Sequence, residues 1–172
     1  MTTTEPTTTA LTGTWTIDAA RSTVGFSVKH LGFLRVSGTM PIGEGKITVG
    51  EDLEAASVTV ELDPAGFDTG TEKRDEHVRS GDFLDVEQFP SASYRSTGVE
   101  QRGTSFTVHG ELTVHGQSRP VTLVGETTSA GDGEAAFTAS ATVDRHDFGV
   151  SKMPGFVAGK HVAIELEIIV TR

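Results

Sequence analysis

Hydrophobic and polar residues alternate with a period of two along five stretches of the chain. These are Val24, Phe26, Val28; Ala56, Val58, Val60, Leu62; Phe106, Val108, Leu112, Val114; Phe137, Ala139, Ala141, Val143; and Val162, Ile164, Leu166, Ile168, Val170. Alternation puts one set of side chains on each face, so each stretch reads as a half-buried antiparallel strand. No segment of comparable strength has helical spacing, and the chain reads as all-β. The last run, Lys160 to Thr171, is 12 residues long, about 40 Å at about 3.3 Å per residue and about twice the usual strand length. Strands this tall suit a barrel with an interior, and an interior suggests a ligand.

Between these runs the punctuation predicts the remaining elements. A first strand covers Thr14 to Ile17 and resumes at Thr23 after a bend at Asp18 to Ser22, and His30 to Leu34 is a short loop or helical turn. Val36 to Ile42 and Lys46 to Val49 read as a strand pair turning at Gly43-Glu44-Gly45, or as one bent strand. Asp63-Pro64 ends the strand Ala55 to Leu62, because proline removes a ladder donor. The period then breaks, and residues 71–80 form the one short helical segment expected, with Glu72, Asp75 and Glu76 early and Arg79 late; Asp75 and Arg79 are an i,i+4 pair. Strands near Ser91 to Glu100, Ser105 to His115, Arg119 to Ser129 and Glu134 to Arg145 are separated by Arg102-Gly103, His115-Gly116-Gln117 and Gly131-Asp132-Gly133. The count is about eight. Eight antiparallel strands joined by short hairpins are compatible with an up-and-down barrel or with a sandwich, and the long final strand favours closure.

A chain of 172 residues fits one domain. Residues 1–12 are a Thr-rich tract that buries too little to order and reads as a disordered tail, leaving 13–172 as the domain. The tract lacks the basic start and apolar stretch of a secretory signal, which makes a cytoplasmic location the expectation. The net charge of −10, with 14 basic and 24 acidic residues and no local basic cluster, repels a phosphate backbone and counts nucleic acid out. It also disfavours anionic bilayers, although a lipid-handling protein need visit a membrane only briefly. With no cysteine, disulfides, thiolate metal sites and cysteine nucleophiles are excluded.

Five motifs stand in order: Trp15-x-Ile17-Asp18-x-x-x-Ser22-x-Val24-x-Phe26-x-Val28-x-His30; Arg74-Asp75-x-His77-x-Arg79-Ser80-x-Asp82-Phe83-x-Asp85; Phe89-Pro90; Gly110-x-Leu112-Thr113-x-x-Gly116; and Arg145-x-Asp147-Phe148-Gly149. Together they resemble the YceI-like polyisoprenoid-binding family over about residues 13 to 172. The resemblance implies a lipocalin-like, eight-stranded barrel closed by a helical segment around an apolar tunnel for a long isoprenoid or quinone-like lipid. It also implies a homodimer, and many members of the family are exported. Where the family commonly has histidine before the serine of the first motif, this chain has Arg21.

Hydrocarbon contact alone can hold such a lipid, at about 0.8 kcal/mol per buried CH₂, so ligand contacts are sought among inward apolar residues. Phe26, Val28, Met40, Phe67, Phe83, Phe89, Tyr94, Phe106, Phe137, Phe148 and Met153 are the candidates, with core filling the competing reading for each. Phe83 and Phe89 stand out because they flank the segment that would cap a barrel mouth. His30, Arg74, Asp75, His77, Arg145 and Asp147 form the polar set, either a head-group site or a structural network of ion pairs and turn hydrogen bonds, with Arg74, Asp75, His77 and Asp147 joined in one network. His109, Glu111 and His115 share a strand face, and strand pairing with His161 and Glu165 would offer metal ligands; that face is the polar one, so surface histidines are expected and no metal. No catalytic signature and no cofactor are expected. The leading reading is a non-enzymatic carrier or store with a bound isoprenoid lipid, against an enzyme acting on a lipid or quinone in the same cavity, or a barrel filled by its own side chains.

Overall fold

The computed structural model describes residues 12–51, 55–152 and 158–172. It has ten strands: β1 (Gly13–Ile17), β2 (Thr23–His30), β3 (Leu34–Thr39), β4 (Ile42–Val49), β5 (Ser57–Leu62), β6 (Ala92–Arg102), β7 (Ser105–Val114), β8 (Gln117–Ala130), β9 (Glu134–Asp144) and β10 (Ala158–Thr171). One helix, α1 (Glu72–Arg79), lies between β5 and β6, and 3₁₀ turns occupy Pro64–Gly66 and Arg145–Phe148. All strand pairings are antiparallel, and the order is β1-β4-β5-β6-β7-β8-β9-β10-β2-β3 with β1 returning to β10. Because β1 and β2 both pair with β10, and β4 and β3 pair with β1 and β2 in turn, each couple is one interrupted strand. The result is a closed, eight-stranded, up-and-down antiparallel barrel with one short helix.

Each interruption has its own chemistry. At the first, the Ser22 hydroxyl takes the place of a strand neighbour: Oγ donates to the Ile169 carbonyl at 3.3 Å and accepts from the Ile169 amide at 2.9 Å. Arg21 sits on the bend between Asp18 (Nε to Oδ2, 2.7 Å) and Glu134 (Nη2 to Oε1, 2.5 Å), an exposed pair of bridges. At the second, the break falls at Met40-Pro41, where proline has no amide to donate. Thr39 instead exchanges both backbone hydrogen bonds with Asp68, at 2.8 and 3.0 Å. Of the two readings of Val36 to Val49, the single bent strand holds, and the turn at Gly43-Glu44-Gly45 does not: these residues lie inside β4. Gly45 is there because the Ile17 side chain presses on the strand: a Cβ at that position would stand 2.5 Å from Ile17 Cδ1.

The β2–β3, β7–β8 and β5–β6 connections and the chain after β9 gather at one end of the barrel, which α1 covers. At the other end Trp15, 1% exposed, lies under the Arg172 guanidinium, 4.3 Å from the ring centroid. Arg172 also donates to the Asp132 and Thr12 carbonyls, both at 2.6 Å. Residues 1–11, most of the expected tail, and Met153 lie outside the described residues.

Candidate functional site: an apolar cavity along the barrel axis

The alternation that builds the strands also builds their inner wall. Val24, Phe26 and Val28 of β2, Phe106, Val108, Leu112 and Val114 of β7, and Ile164, Leu166, Ile168 and Val170 of β10 all face a common interior cavity of about 570 Å³. On β6 the register shifts between Ser96 and Gly98, so that Tyr94 and Val99, of opposite parity, both face inward. A shift between Ile42 and Glu44 does the same for Ile42 and Ile47 on β4.

Of the apolar residues expected to line a tunnel, Phe26, Val28, Met40, Phe67, Phe83, Tyr94, Phe106, Phe137 and Phe148 all line this cavity. Phe67 stacks obliquely against Phe26, ring centroids 6.3 Å apart, and Phe106 meets Phe137 edge to face at 5.9 Å. Phe89 does not line it. Its ring packs on His115, centroids 4.7 Å apart, and over Gly116 in the β7–β8 turn, so it pins the cap to the barrel rim from outside. The inward aliphatic residues of β10 belong to the wall as fully as the aromatics, and the period of two that marked them as strand is the signal that would have named them as site.

Tyr94 shows how tightly one part of the wall is fitted. Its hydroxyl donates to the Val121 carbonyl at 2.9 Å, two strands away, by crossing Gly110 of the intervening strand. A Cβ on Gly110 would stand 2.4 Å from the phenol oxygen and 2.7 Å from the Arg95 carbonyl. Burial pushes the phenol's pKa up to about 12, so the hydroxyl remains a donor throughout the physiological range.

The charged members of the wall are Lys29, Arg74 and Arg145, accompanied by His30 and His77; among the described residues no carboxylate lines the cavity. All five belong to the helix-capped end. His30 continues the inward phase of Val24, Phe26 and Val28, and His77 on α1 meets Phe83 edge to face at 5.0 Å while its Nε2 lies 3.0 Å from Asp82. Arg74 and Asp75 converge on Thr69. The Asp75 carboxylate, 4% exposed, accepts from the Thr69 amide (2.9 Å) and hydroxyl (2.5 Å), and Arg74 Nε donates to that same hydroxyl oxygen at 2.8 Å. The hydrogen bonds from Thr69 hold the Asp75 carboxyl below its ordinary range, with the Arg79 charge adding to the effect. Asp75 and Arg79 form no contact ion pair: Arg79 Nη2 donates to the Phe67 carbonyl at 2.6 Å.

The expected four-residue network is therefore corrected. Arg74 and Asp75 share a partner, His77 turns to Asp82, and Asp147 is exposed with no hydrogen bond or ion pair to any of them. Arg145 is buried and donates to the Gly159, Val150 and Lys152 carbonyls at 3.0, 2.7 and 2.8 Å. Burial lowers its pKa, yet a guanidinium stays charged; its bonds tie Val150 and Lys152 to Gly159 at the start of β10. The metal geometry is also absent. β7 pairs with β6 and β8 while His161 pairs with Asp144 of β9. His115 leaves the strand for the turn, where Nδ1 lies 3.1 Å from the Phe148 carbonyl. Among the described residues no cluster of three metal-ligating side chains exists.

The described residues thus form a closed antiparallel barrel with an apolar interior and cations at one mouth. Residues 15–170 match the YceI-like domain, and the chain belongs to that family. It is 31% identical to a UPF0312 protein of Vibrio cholerae over 156 residues, 87% of this chain and 81% of that one. It is 35% identical to a UPF0312 protein of Pseudomonas aeruginosa over 151 residues, 84% and 78% of the two chains. Among solved structures the fold is that of Burkholderia cenocepacia BcnA (TM-score 0.83, 21% identity, covering 90% of this chain and 99% of that one). It is shared by a polyisoprenoid-binding domain from Saccharophagus degradans implicated in plant cell wall breakdown (TM-score 0.74, 11% identity, 91% and 97%).

Proposed function

We propose that the protein binds a long-chain isoprenoid lipid, polyprenyl or isoprenoid-quinone-like, in the barrel interior and stores or carries it without chemical turnover. The observation that carries this is the wall itself: a cavity of about 570 Å³ bounded mainly by aliphatic and aromatic side chains, with the charged groups of the described wall, Lys29, Arg74 and Arg145, at one end. A chain of isoprene units would fill the apolar length, each buried CH₂ contributing about 0.8 kcal/mol, and its polar head would rest at the helix end beside His30, Arg74 and His77. The likeness in fold to a polyisoprenoid-binding domain supports the same ligand class.

The test is native mass spectrometry of the purified protein, followed by organic extraction and reloading with polyprenols and quinones. An isoprenoid in about one copy per chain is the expected result. Ala139→Trp, and separately Val60→Trp, place an indole in the cavity and should cut retention at least tenfold, about 1.4 kcal/mol, while leaving the melting temperature within a few degrees. A protein that stays empty through both treatments overturns the reading. Chemical conversion of the loaded lipid that disappears in His77→Gln would replace storage with catalysis.

A further inference from the structure

The tip of the hairpin between β2 and β3 carries three apolar side chains used by neither the core nor the cavity, and just behind them stands Lys29 of the cavity wall. Leu31, Phe33 and Leu34 are 48%, 79% and 48% exposed, on a tip tightened by positive φ at Leu31 (56°) and Gly32 (80°). Directly behind it Lys29 and Arg35 stand opposite each other in register, both exposed and neither ion-paired among the described residues. No Asp or Glu occurs between Asp18 and Glu44, in a chain that has 24 acidic residues in 172. Three large apolar side chains at a convex tip, backed by a pair of cations in an acid-free stretch, form the pattern of an element that enters a bilayer interface, rings among the acyl chains and ammonium or guanidinium groups among the head groups.

We propose that the β2–β3 hairpin docks the protein on a lipid bilayer containing anionic phospholipid and sets the helix-capped end of the cavity against that surface. The net charge of −10 does not oppose this at contact range. Charges farther away than about 8 Å are screened at physiological salt; the carboxylates of this end belong to the chain between β5 and β6, Glu72, Glu76, Asp82 and Asp85 among them, and to the segment around the end of β9, with Asp144 and Asp147, and none lies on the hairpin itself. A second copy of the chain is a poorer occupant. Two-fold pairing through the tip would bring Lys29 and Arg35 toward their own equivalents, and three side chains fall well short of the roughly 800 Å² per partner of a stable interface. Position gives the docking its use. His30 and Val36, each one residue beyond the cation pair toward or away from the tip, line the cavity, so the tip and the lipid site share one hairpin. The docking stands on the hairpin alone; its role in lipid loading rests on the proposed function.

Vesicle flotation tests this, with phosphatidylcholine alone and with phosphatidylcholine mixed with phosphatidylglycerol. The wild-type protein should float with the mixed vesicles, less with the neutral ones, and less again in high salt. Phe33→Ser should reduce flotation about tenfold, the loss expected from one buried phenyl ring, and Lys29→Glu combined with Arg35→Glu should remove the preference for anionic vesicles. All three positions are exposed, unchanged melting temperatures verify folding, and because Lys29 also borders the cavity Arg35→Glu alone, which does not, should weaken the same preference. Equal flotation of wild type and Phe33→Ser, or none by wild type, overturns the proposal. So does a wild-type dimer that Phe33→Ser converts to monomer, which would assign the tip to a second copy. Ala139→Trp separates the two readings: it should still float while retaining little lipid, and docking by a wild-type protein that never takes up an isoprenoid would leave the hairpin proposal standing and remove the cavity one.

Discussion

Gly110 and Tyr94 form a pair in which the absence of one side chain makes room for another. Gly110→Ala sets a methyl against the phenol and against the Arg95 carbonyl, and backbone does not move aside as a flexible side chain would. The expected cost is about 1–3 kcal/mol, the usual range for overpacking, read as a lowered urea midpoint at unchanged slope. Tyr94→Phe keeps the ring and loses the bond to Val121, for which about 1 kcal/mol is expected. Tyr94 is the one tyrosine of the chain, so its titration can be followed alone by ultraviolet absorbance. The midpoint should fall near 12 in the folded protein and return to the ordinary 10 in denaturant. The sign follows from linkage. A phenol whose pKa is raised by folding contributes stability in full below its unfolded value and loses it as the pH rises from 10 through 12. Alkaline unfolding should accordingly be blunted in Tyr94→Phe.

Among the elements, α1 and the connection after β9 each bury a charged side chain, Asp75 and Arg145. Asp75 has its pKa lowered by the hydrogen bonds from Thr69, so its stabilising effect is present above the ordinary carboxylate value of 3.8 and is lost as the pH falls through its lower, folded value. Asp75→Ala should melt below wild type at neutral pH, with the gap closing in acid; a gap independent of pH would mean that the carboxylate charge plays no part. Arg145→Leu leaves the Gly159, Val150 and Lys152 carbonyls without their shared donor. A loss of about 3 kcal/mol or more is expected from hydrogen bonds to a charged group, measurable by chemical denaturation. The same scale shows what the sequence could reveal. β2, β5, β7, β9 and β10 were legible because their inward positions keep one parity from end to end. In β4 and β6 a bulge changes the parity, so Ile42 and Ile47, or Tyr94 and Val99, face the same interior while breaking the alternation. Phe89 was misplaced for a related reason: sequence set it beside the cap, and only the His115 turn folding back over it shows which side of the rim it occupies. Asp147 likewise stood in a motif with its neighbours, but a 3₁₀ turn exposes it while burying Arg145 and Phe148.

For the molecule as a whole, the ring is completed where β1 and β2 meet β10, through Ile17 with Val170 and on to Val28 with Val162, and the Arg172 guanidinium lies over Trp15. That seam joins the beginning of the domain to its end. Hairpins β6–β7, β7–β8 and β8–β9 pair residues close in sequence and can form early, whereas the seam must wait for a loop of nearly the whole chain to close, which makes it the slowest contact by topology. Until β10 is in place the barrel is an open sheet by topology, with the apolar face that lines the interior uncovered. The same long-range pairing that closes the sheet also encloses the interior, so a variant that weakens the seam should open the cavity before it melts the hairpins, read as faster amide exchange in β10 than in β7.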